Sequence, residues 1–327
     1  MAIASKKFWK FELSLAGLLQ ALWVTLMTGS AFGTLLGFCG SIWPFELASH
    51  FRLQFGALLL AMGFVEWIRK KVRLALGLFA MASINAILIW PHLQIEHPRH
   101  RPEHVFRILL VNVQTDNREY AKVLELIAER RPDLIVLEEV NSVWLEQLQS
   151  IHAHYPDSIT YPRDDNFGIA LFSRHELIEP EPIEIGDAEV PALKARVALG
   201  GKETVVLATH PLPPGSPVTF RQRNQHLVAL ANEIRNLDRP VVLAGDLNVT
   251  PWSSAFRALL RNSGLSLPPL GLDSTWPAHW LPLRIPIDHI LLSREFVGVR
   301  RTIGPRIGSD HLPVELEFGW EVRPPRP

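Results

Sequence analysis

The first third of the chain contains apolar segments that are long enough to cross a membrane. Leu13 to Leu36 is a run of 24 residues without a charged side chain, and about 20 apolar residues in a helix span the hydrocarbon core of a bilayer. Val72 to Trp90 is a second such segment, and Leu53 to Ile68, which is shorter and carries Glu66, is a third. The first run is too long for a secretory signal peptide and lacks the small-residue cleavage site that such a peptide has, so a signal peptide is not predicted. The sequence therefore predicts a membrane region over residues 1–91 with about three transmembrane helices.

Basic residues beside these segments predict how they are oriented. Lysines precede the segment at 13–36, and a basic group lies between the segments at 53–68 and 72–90. The loop between the segments at 13–36 and 53–68 offers only Arg52 against Glu46. Cytoplasmic loops carry the excess of Lys and Arg, so the N-terminus is predicted to be cytoplasmic. With three crossings, the remainder of the chain lies outside the cytoplasm. If residues 53–68 do not cross, the remainder is cytoplasmic instead.

The two parts of the chain differ in charge. Residues 1–103 hold ten Lys and Arg against five Asp and Glu, a net charge of +5, and residues 104–327 hold 23 against 28, a net charge of −5. Domains that bind nucleic acid are usually basic, so this balance argues against tight binding to long nucleic acid and leaves short substrates open. Cys39 is the only cysteine, so the second part is predicted to have no disulfide and no thiolate metal site.

Strand-like and helix-like segments alternate after a Pro- and His-rich linker at residues 92–104. The first are a strand from Arg107 to Val113, a helical stripe from Glu119 to Arg130 and a strand from Leu134 to Leu137. The other predicted elements are helices at 143–151, 219–237 and 252–262, and strands at 168–173, 192–199, 204–209, 241–244, 287–292 and 312–318. This pattern predicts two packed sheets with helices on their outer faces, in one domain at residues 105–320, followed by a tail at 321–327.

Acidic, amide and imidazole side chains recur where the predicted strands end. The clearest case is the apolar run from Val241 to Ala244, which ends at Gly245 and is followed by Asp246 and Asn248. The others are Asn112, Glu139, His210, Asp288, Asp310 and His311. Carboxylate oxygens bind hard divalent cations such as Mg²⁺, and an Asp or a His can activate water for attack on phosphorus. The pattern is typical of metal-assisted phosphoester hydrolysis.

Eight short motifs follow one another in the order found in the endonuclease/exonuclease/phosphatase superfamily, which the chain resembles over about residues 105 to 319. They are Asn112, Glu139 in LEEV, Asn166-Phe167-Gly168 followed by IALFS, Thr209-His210, Gly245 to Asn248 (GDLN), Thr275-Trp276, Ile287-Asp288-His289 and Ser309-Asp310-His311. The superfamily includes DNase I-like nucleases, apurinic endonucleases, sphingomyelinases and inositol-polyphosphate phosphatases, and its membrane-anchored bacterial branch looks most similar.

The resemblance implies an α/β fold, a four-layered α/β sandwich of two packed mixed β-sheets flanked by helices, preceded by the N-terminal transmembrane helices. It also implies a location in the bacterial inner membrane. Two departures from the family pattern stand out. Gln114 occupies a position where several family nucleases have an acid, and Glu138 occupies a position where many members have Gln.

The resemblance further implies a role for each matching residue. Asp246 would orient or deprotonate the attacking water, Asn248 would hold the phosphate, His210 and His311 would contact the scissile phosphate, and Asp288 would orient His311. The implied cofactor is Mg²⁺, with Mn²⁺ as a substitute, and the implied metal ligands are Glu139, Asp310 and Asn112. The substrate-binding candidates are Asn166, which lines the cleft in relatives, Trp276, which could rim it or pack beneath it, and Arg223, which could bind a phosphate or be a solvated helix residue.

The predicted function is that of a membrane-anchored, Mg²⁺-dependent phosphoester hydrolase, either a phosphodiesterase or a phosphatase. Its predicted partners are a lipid headgroup or a small phosphorylated molecule as the substrate, and the lipid bilayer through the N-terminal helices. No obligatory protein partner is evident, and nucleic acid is not favoured by the charge. The alternatives are a nuclease acting on DNA or RNA, and a non-catalytic membrane-anchored binding module.

Overall fold

The N-terminal third of the chain forms a bundle of four helices. The computed structural model describes residues 14–95, 101–268, 271 and 274–321. The helices are α1 (Leu15–Leu36), α2 (Trp43–His50), α3 (Arg52–Ile68) and α4 (Val72–Leu93). The three lysines before the first apolar run, the middle of the predicted linker and nearly all of the predicted tail lie outside the described residues.

Two of these helices, α1 and α4, are long and apolar enough to cross a membrane, with 22 residues each. The pair α2 and α3 forms a third candidate span if it is counted as one, and it is bent by 66° at its break. The prediction of apolar N-terminal spans is therefore confirmed as candidate spans, and their number stays a prediction. Helix α2 was not predicted, because its eight residues (WPFELASH) mix apolar and polar side chains in a segment that reads as a loop.

The remainder of the described chain forms two mixed sheets and four helices. The strands are β1 (Phe106–Asn112), β2 (Leu134–Glu138), β3 (Asp157–Tyr161), β4 (Ile169–Ser173), β5 (Leu177–Glu184), β6 (Pro191–Leu199), β7 (Lys202–Thr209), β8 (Val241–Asp246), β9 (Asp288–Leu292), β10 (Phe296–Ile303) and β11 (Val314–Trp320). The helices are α5 (Tyr120–Arg130), α6 (Ser142–Gln147), α7 (Pro217–Arg235) and α8 (Ser254–Ser263), and 3-10 turns cover Gln149–Ala153 and Leu281–Leu283. One sheet has the order β10-β11-β1-β2-β4-β3 and the other β5-β6-β7-β8-β9.

Side-chain alternation along the central strands divides the core into layers. Ile108 and Leu110 of β1 face the second sheet and pack with Val242 of β8, whereas Leu109 and Val111 point to the opposite face and pack with residues of α5 and α6. Strand β8 alternates in the same way between the space between the sheets and the outer helices α7 and α8. The order helix, sheet, sheet, helix confirms the predicted four-layered sandwich.

The three strands that the sequence pattern missed, β3, β5 and β10, all lie at sheet edges. An edge strand is paired on one side only and is partly exposed, so its sequence carries little apolar alternation. Strand β5 shows this most clearly, because Glu179, Glu181 and two prolines at 180 and 182 interrupt it. Edge strands tolerate proline and charge where central strands do not.

The sheet topology brings the polar strand ends together. Strands β1 and β2 are parallel, as are β7 and β8, so each parallel pair presents two carboxyl ends side by side. Strands β11 and β9 run antiparallel to β1 and β8, and therefore start at the same edges. The backbone N–H of Asp246 donates to both carboxylate oxygens of Glu138 at 3.0 Å, which joins the two edges. The six strand termini thus form one rim.

The rim depends on a glycine at the end of β8. A Cβ atom on Gly245 would lie 1.9 Å from the carbonyl oxygen of Thr209 in the neighbouring strand β7. Because this contact is with backbone, we predict that Gly245→Ala separates the two strands and lowers the free energy of unfolding by about 3 kcal/mol, as overpacking does. Urea unfolding of the detergent-solubilised chain measures this, with Gly215→Ala as the control, since a Cβ there meets nothing within 4 Å. Equal stability of the two variants would contradict the prediction.

Candidate active site

A cleft of about 630 Å³ lies over the rim and contains most of the predicted site residues. Eight of the eleven line it, namely Glu139, Asn166, His210, Asp246, Asn248, Trp276, Asp310 and His311. Asn112 and Asp288 are buried beside it, each hydrogen-bonded to a lining residue. Arg223 alone is turned away, as described below. The strand termini therefore gather in space what the sequence spreads over about 200 residues.

The cleft floor holds an imidazole between two carboxylates. His311 Nδ1 lies 3.0 Å from Asp288 Oδ2, and its Nε2 lies 3.6 Å from Asp246 Oδ2. Burial by itself disfavours a charged imidazole, but the charges of Asp288 and Asp246 outweigh it and raise the pKa of His311 to about 10. Burial acts on Asp288 in the opposite direction and raises its pKa. The charge and hydrogen bond of His311 more than offset burial and hold the pKa of Asp288 below its ordinary value. The pair is thus an imidazolium and a carboxylate at neutral pH.

A second imidazole lies on the other side of Asp246. His210 Nε2 is 3.6 Å from Asp246 Oδ2, and the ring packs against Phe167 with 5.4 Å between centroids. Burial, together with the charge of His311, lowers the pKa of His210 to about 3. Its Nδ1 is buried and has no hydrogen-bond partner among the described residues. His210 is therefore a neutral imidazole that can donate one hydrogen bond.

The wall formed by β2 carries Glu139 in a fixed position. Asn112 Nδ2 donates to Glu139 Oε1 at 2.9 Å, and the Thr115 hydroxyl donates to the Glu139 carbonyl oxygen at 3.0 Å. Asn112 Oδ1 accepts from the backbone N–H of Gln114 at 3.0 Å. Both ends of the Asn112 amide are thus in use and the residue does not line the cleft, which differs from the prediction that it binds the metal itself. The structure places Asn112 where it orients the Glu139 carboxylate.

Asp310 is held at the cleft by two polar contacts. Trp276 Nε1 donates to Asp310 Oδ2 at 2.9 Å, and the backbone N–H of Asp310 donates to Gln114 Oε1 at 3.1 Å. Gln114, which departs from the family pattern, therefore fixes the loop that carries Asp310 and does not line the cleft. Asp310 also lines the cleft, where a ligand can reach its carboxylate.

Three lining residues have backbone conformations that L-amino acids rarely adopt. The φ angles of Glu139, Asn166 and Asn248 are 61°, 67° and 51°. Such conformations cost free energy and concentrate at functional sites, where the surrounding structure enforces them. For Asn248, an Nδ2 bond to the Pro211 carbonyl at 3.0 Å and a backbone bond to Asp246 Oδ1 at 2.8 Å enforce the turn.

The structure corrects the prediction that Arg223 binds a substrate phosphate. Its side chain is fully buried, with 0% exposure, and lies 2.9 Å from Glu46 of α2. A second guanidinium nitrogen donates to the carbonyl oxygen of Asn248. Helix α7 turns this face into the interior rather than into solvent, so no part of the guanidinium reaches the cleft.

Several functional positions were missed by the sequence analysis or assigned no direct role. Glu138 is completely buried, and burial together with Asp246 and Asp288 raises its pKa well above the ordinary range. Leu47, His50 and Phe51, which belong to the helical bundle, line the cleft. Glu138 carried a signal, because a charged residue ends a fully apolar strand. The bundle residues carried none, because their position depends on contacts between segments about 200 residues apart.

The donor set of the cleft fits a divalent cation. Asp246, Asp288 and His311 offer ligand atoms within 4.8 Å of one another, but the His311 Nδ1 atom already bonds to Asp288, and Mg²⁺ prefers oxygen ligands. The carboxylates of Glu139 and Asp310 would be better suited to such a cation, because they offer oxygen ligands and line the cleft. Burial raises the pKa values of Glu139 and Asp246, so both are unfavourable as anions unless a positive charge compensates them. A cation in the cleft would supply that charge.

The imidazolium of His311 depends on Asp288, which gives a pH-dependent prediction. Asp288→Asn removes the anion and leaves the burial, so the pKa of His311 should fall from about 10 towards or below the ordinary value of about 6.5. An NMR titration of imidazole signals in EDTA measures this. Asp187→Asn, in an exposed loop, is the control. An unchanged His311 pKa in Asp288→Asn would contradict the assignment.

Comparisons with known proteins agree with this geometry. The model of the endonuclease/exonuclease/phosphatase family matches residues 109–311, and none of the curated proteins matches in sequence. Solved structures with the same fold include an endonuclease/exonuclease/phosphatase from Bacteroides vulgatus (22% identity, 67% of this chain and 100% of that one, TM-score 0.58), a humanized D. rerio TDP2 (18%, 66% and 99%, 0.55) and the human Nocturnin catalytic domain (19%, 66% and 94%, 0.53). The chain belongs to the endonuclease/exonuclease/phosphatase family, whose members are metal-dependent phosphoester hydrolases.

Proposed function

We propose that the protein is a membrane-anchored phosphoester hydrolase that uses Mg²⁺, for which Mn²⁺ can substitute, and that acts on a lipid headgroup or a small phosphorylated molecule. One observation carries the proposal. The acid Asp246, the candidate metal ligands Glu139 and Asp310, and His311, which is paired with the buried Asp288, line one cleft of about 630 Å³. That volume accommodates a phosphate group with part of its ester substituents.

The residues divide into a metal side and a proton-transfer side. Glu139 and Asp310 would hold the cation, and Asn112 would keep the Glu139 carboxylate in place through its 2.9 Å hydrogen bond. When bound, the cation neutralises charge on the phosphate and on the leaving oxygen. The Trp276 indole fixes Asp310, so its loss would loosen the metal side without removing a ligand.

On the proton-transfer side, Asp246 lies between the two imidazoles and would orient water for attack on phosphorus and accept its proton. His311, kept protonated by Asp288, would donate to a non-bridging phosphate oxygen. The neutral His210 and the amide of Asn248 would add hydrogen bonds to the same group. Asn166 borders the cleft and would contact the ester substituent.

The alternatives are less well supported. A D. rerio TDP2 structure with this fold contains a single-stranded DNA product, so cleavage of nucleic acid is the competing activity. The net charge of −5 over residues 104–327 and the acidic lining of the cleft disfavour a long polyanion. A non-catalytic binding module would not need the intact Asp246, Asp288 and His311 cluster.

The contacts of α2 support an extracytoplasmic domain. Helix α2 precedes α3 and contacts the α/β domain, and α4 precedes that domain in the chain. The connection between α1 and α3 and the end of α4 therefore lie on one side, as expected if α1, α3 and α4 all cross. The basic turn Arg69–Lys71 between α3 and α4 would then face the cytoplasm.

Hydrolysis of bis-p-nitrophenyl phosphate by the purified full chain tests the activity. We expect Mg²⁺-dependent turnover that EDTA abolishes and that Asp246→Ala and His311→Ala each lower by about a thousandfold, within the range for a positioned acid or base. Asp187→Asn should match the wild type. Folded wild type that neither turns over nor binds Mg²⁺ would refute the proposal, as would unchanged activity in both variants.

The native cysteine tests the topology. Cys39 is exposed in the connection between α1 and α2, and Lys70 lies in the turn between α3 and α4. A membrane-impermeant maleimide should label Cys39 in right-side-out vesicles. In a Cys39→Ser background, Lys70→Cys should be labelled only after permeabilisation. The reverse pattern would place the catalytic domain in the cytoplasm.

A further inference from the structure

Helix α2 is attached to the catalytic domain rather than to the rest of the bundle alone. Trp43 Nε1 donates to the Pro214 carbonyl at 2.7 Å, and Trp252 Nε1 donates to the Ser49 carbonyl at 2.6 Å. These bonds join the two ends of α2 to loops that border the cleft. Helix α2 therefore holds one orientation relative to the site.

A buried ion pair strengthens this attachment. Glu46 of α2 and Arg223 of α7 are both fully buried, 2.9 Å apart, and the Ser253 hydroxyl donates to the same Glu46 oxygen at 3.0 Å. His50 uses both ring nitrogens, one with Glu46 and one with the Thr250 hydroxyl, each at 3.0 Å. Separating the helix from the domain would leave buried charges unpaired, which is strongly unfavourable. The membrane region and the catalytic domain are thus one unit at this point.

The attached helix also forms a wall of the cleft. Leu47, His50 and Phe51 line it together with Glu139 and Asp246. A helix that only connected the bundle to the domain would not need to line the same cleft as the catalytic residues. Leu47 and Phe51 make this wall apolar.

A second lining segment of the cleft leads to an exposed apolar loop. Trp276 and Ile285 line the cleft, and between them Trp280, Leu281 and Leu283 are 59%, 70% and 45% exposed. Solvent-exposed apolar groups of this size commonly mark contact with a membrane or a partner, and tryptophan favours the interfacial zone of bilayers.

This loop lies next to a candidate span. Gln54 Nε2, in the first turn of α3, donates to the Arg284 carbonyl at 2.8 Å. A groove between α3 and the loop is lined by Leu53, Ala57, Leu58 and Leu281, among others. The exposed apolar loop is therefore at the level where α3 begins, which is the level of the bilayer surface if α3 crosses.

We propose that the cleft is a composite of the membrane region and the catalytic domain, and that it takes the phosphoester of a lipid whose chains remain in the bilayer. The inference rests on the proposed function and names the substrate class of the same site. The polar floor would receive the phosphate. The apolar lining residues Leu47, Phe51, Trp276 and Ile285 would receive the glycerol or first chain carbons. The cleft lining combines charged and apolar side chains, which matches such an amphiphile.

Two chromogenic diesters with the same leaving group test the proposal. The full chain, reconstituted in phosphatidylcholine vesicles with Mg²⁺, is given p-nitrophenyl methyl phosphate or p-nitrophenyl hexadecyl phosphate. In either reaction the water oxygen bonds to phosphorus, the bond to the p-nitrophenyl oxygen breaks, and p-nitrophenolate leaves with the electron pair. The hexadecyl probe partitions into the bilayer, and its higher local concentration there raises its rate in every variant. The informative quantity is therefore the ratio of kcat/KM for the hexadecyl probe to kcat/KM for the methyl probe, compared between variants.

We expect the hexadecyl-to-methyl ratio of kcat/KM to fall by about tenfold in Phe51→Ser and in Leu281→Ser, a typical penalty for removing apolar recognition. Val143→Ser, which alters an exposed apolar residue of α6, is the matched control and should keep the wild-type ratio. A variant that is merely misfolded would lose both activities together and leave the ratio unchanged.

The outcomes separate this proposal from the proposed function. If both probes are hydrolysed and the ratio is the same in the wild type and in both variants, the composite lipid site is refuted and the hydrolase stands. A wild type that hydrolyses the methyl probe and spares the hexadecyl probe refutes it as well. If neither probe is hydrolysed and Mg²⁺ does not bind, the proposed function fails, and the lipid site fails with it.

Discussion

Electrostatic repulsion among buried carboxylates is the constraint on which the rest of the site depends. Glu138, Asp246 and Asp288 are all buried at the junction of the two sheets, and burial together with their mutual charge raises the pKa values of the first two well above the ordinary range. His311 supplies one positive charge between two of them. A divalent cation at Glu139 and Asp310 would supply more. The fold keeps this unfavourable group together because the backbone of Asp246 is hydrogen-bonded to Glu138 across the rim.

The same rim is where the helical bundle meets the domain. The buried pair Glu46–Arg223 joins α2 to α7, and Arg223 in turn donates to the carbonyl of Asn248, a cleft residue. The helical bundle therefore contacts a loop of the cleft through two side chains. Changes in the bundle are expected to affect the geometry of the cleft.

The sequence predicted what depends on local pattern. The central strands, the outer helices and the polar strand ends follow from periodicity, and the order of the motifs identified the family resemblance. The edge strands β3, β5 and β10 did not follow, because one-sided pairing leaves little apolar alternation to detect. The sequence also separated the apolar runs of α1 and α4 from the acidic remainder.

The site was predictable where strand termini converge and unpredictable where distant segments pack. Asp246, Asp288 and His311 are positioned by sheet topology, so the pattern of strands sufficed. Arg223 was misassigned because Glu46, with which it forms a buried ion pair, lies 177 positions away in the chain. His50 and Phe51 were missed for the same reason, because nothing in the local sequence distinguishes them from the neighbouring residues of the segment.

Binding of Mn²⁺ to the purified chain, followed by electron paramagnetic resonance, measures whether the cleft holds a divalent cation and needs no substrate. We predict saturable binding that Mg²⁺ displaces and that Glu139→Gln weakens by roughly tenfold or more, the scale expected for disturbing a metal site. Asp187→Asn should bind as the wild type does. A folded chain that shows no saturable Mn²⁺ binding, or that binds equally well after Glu139→Gln, would contradict a metal-dependent hydrolase centred on this cleft.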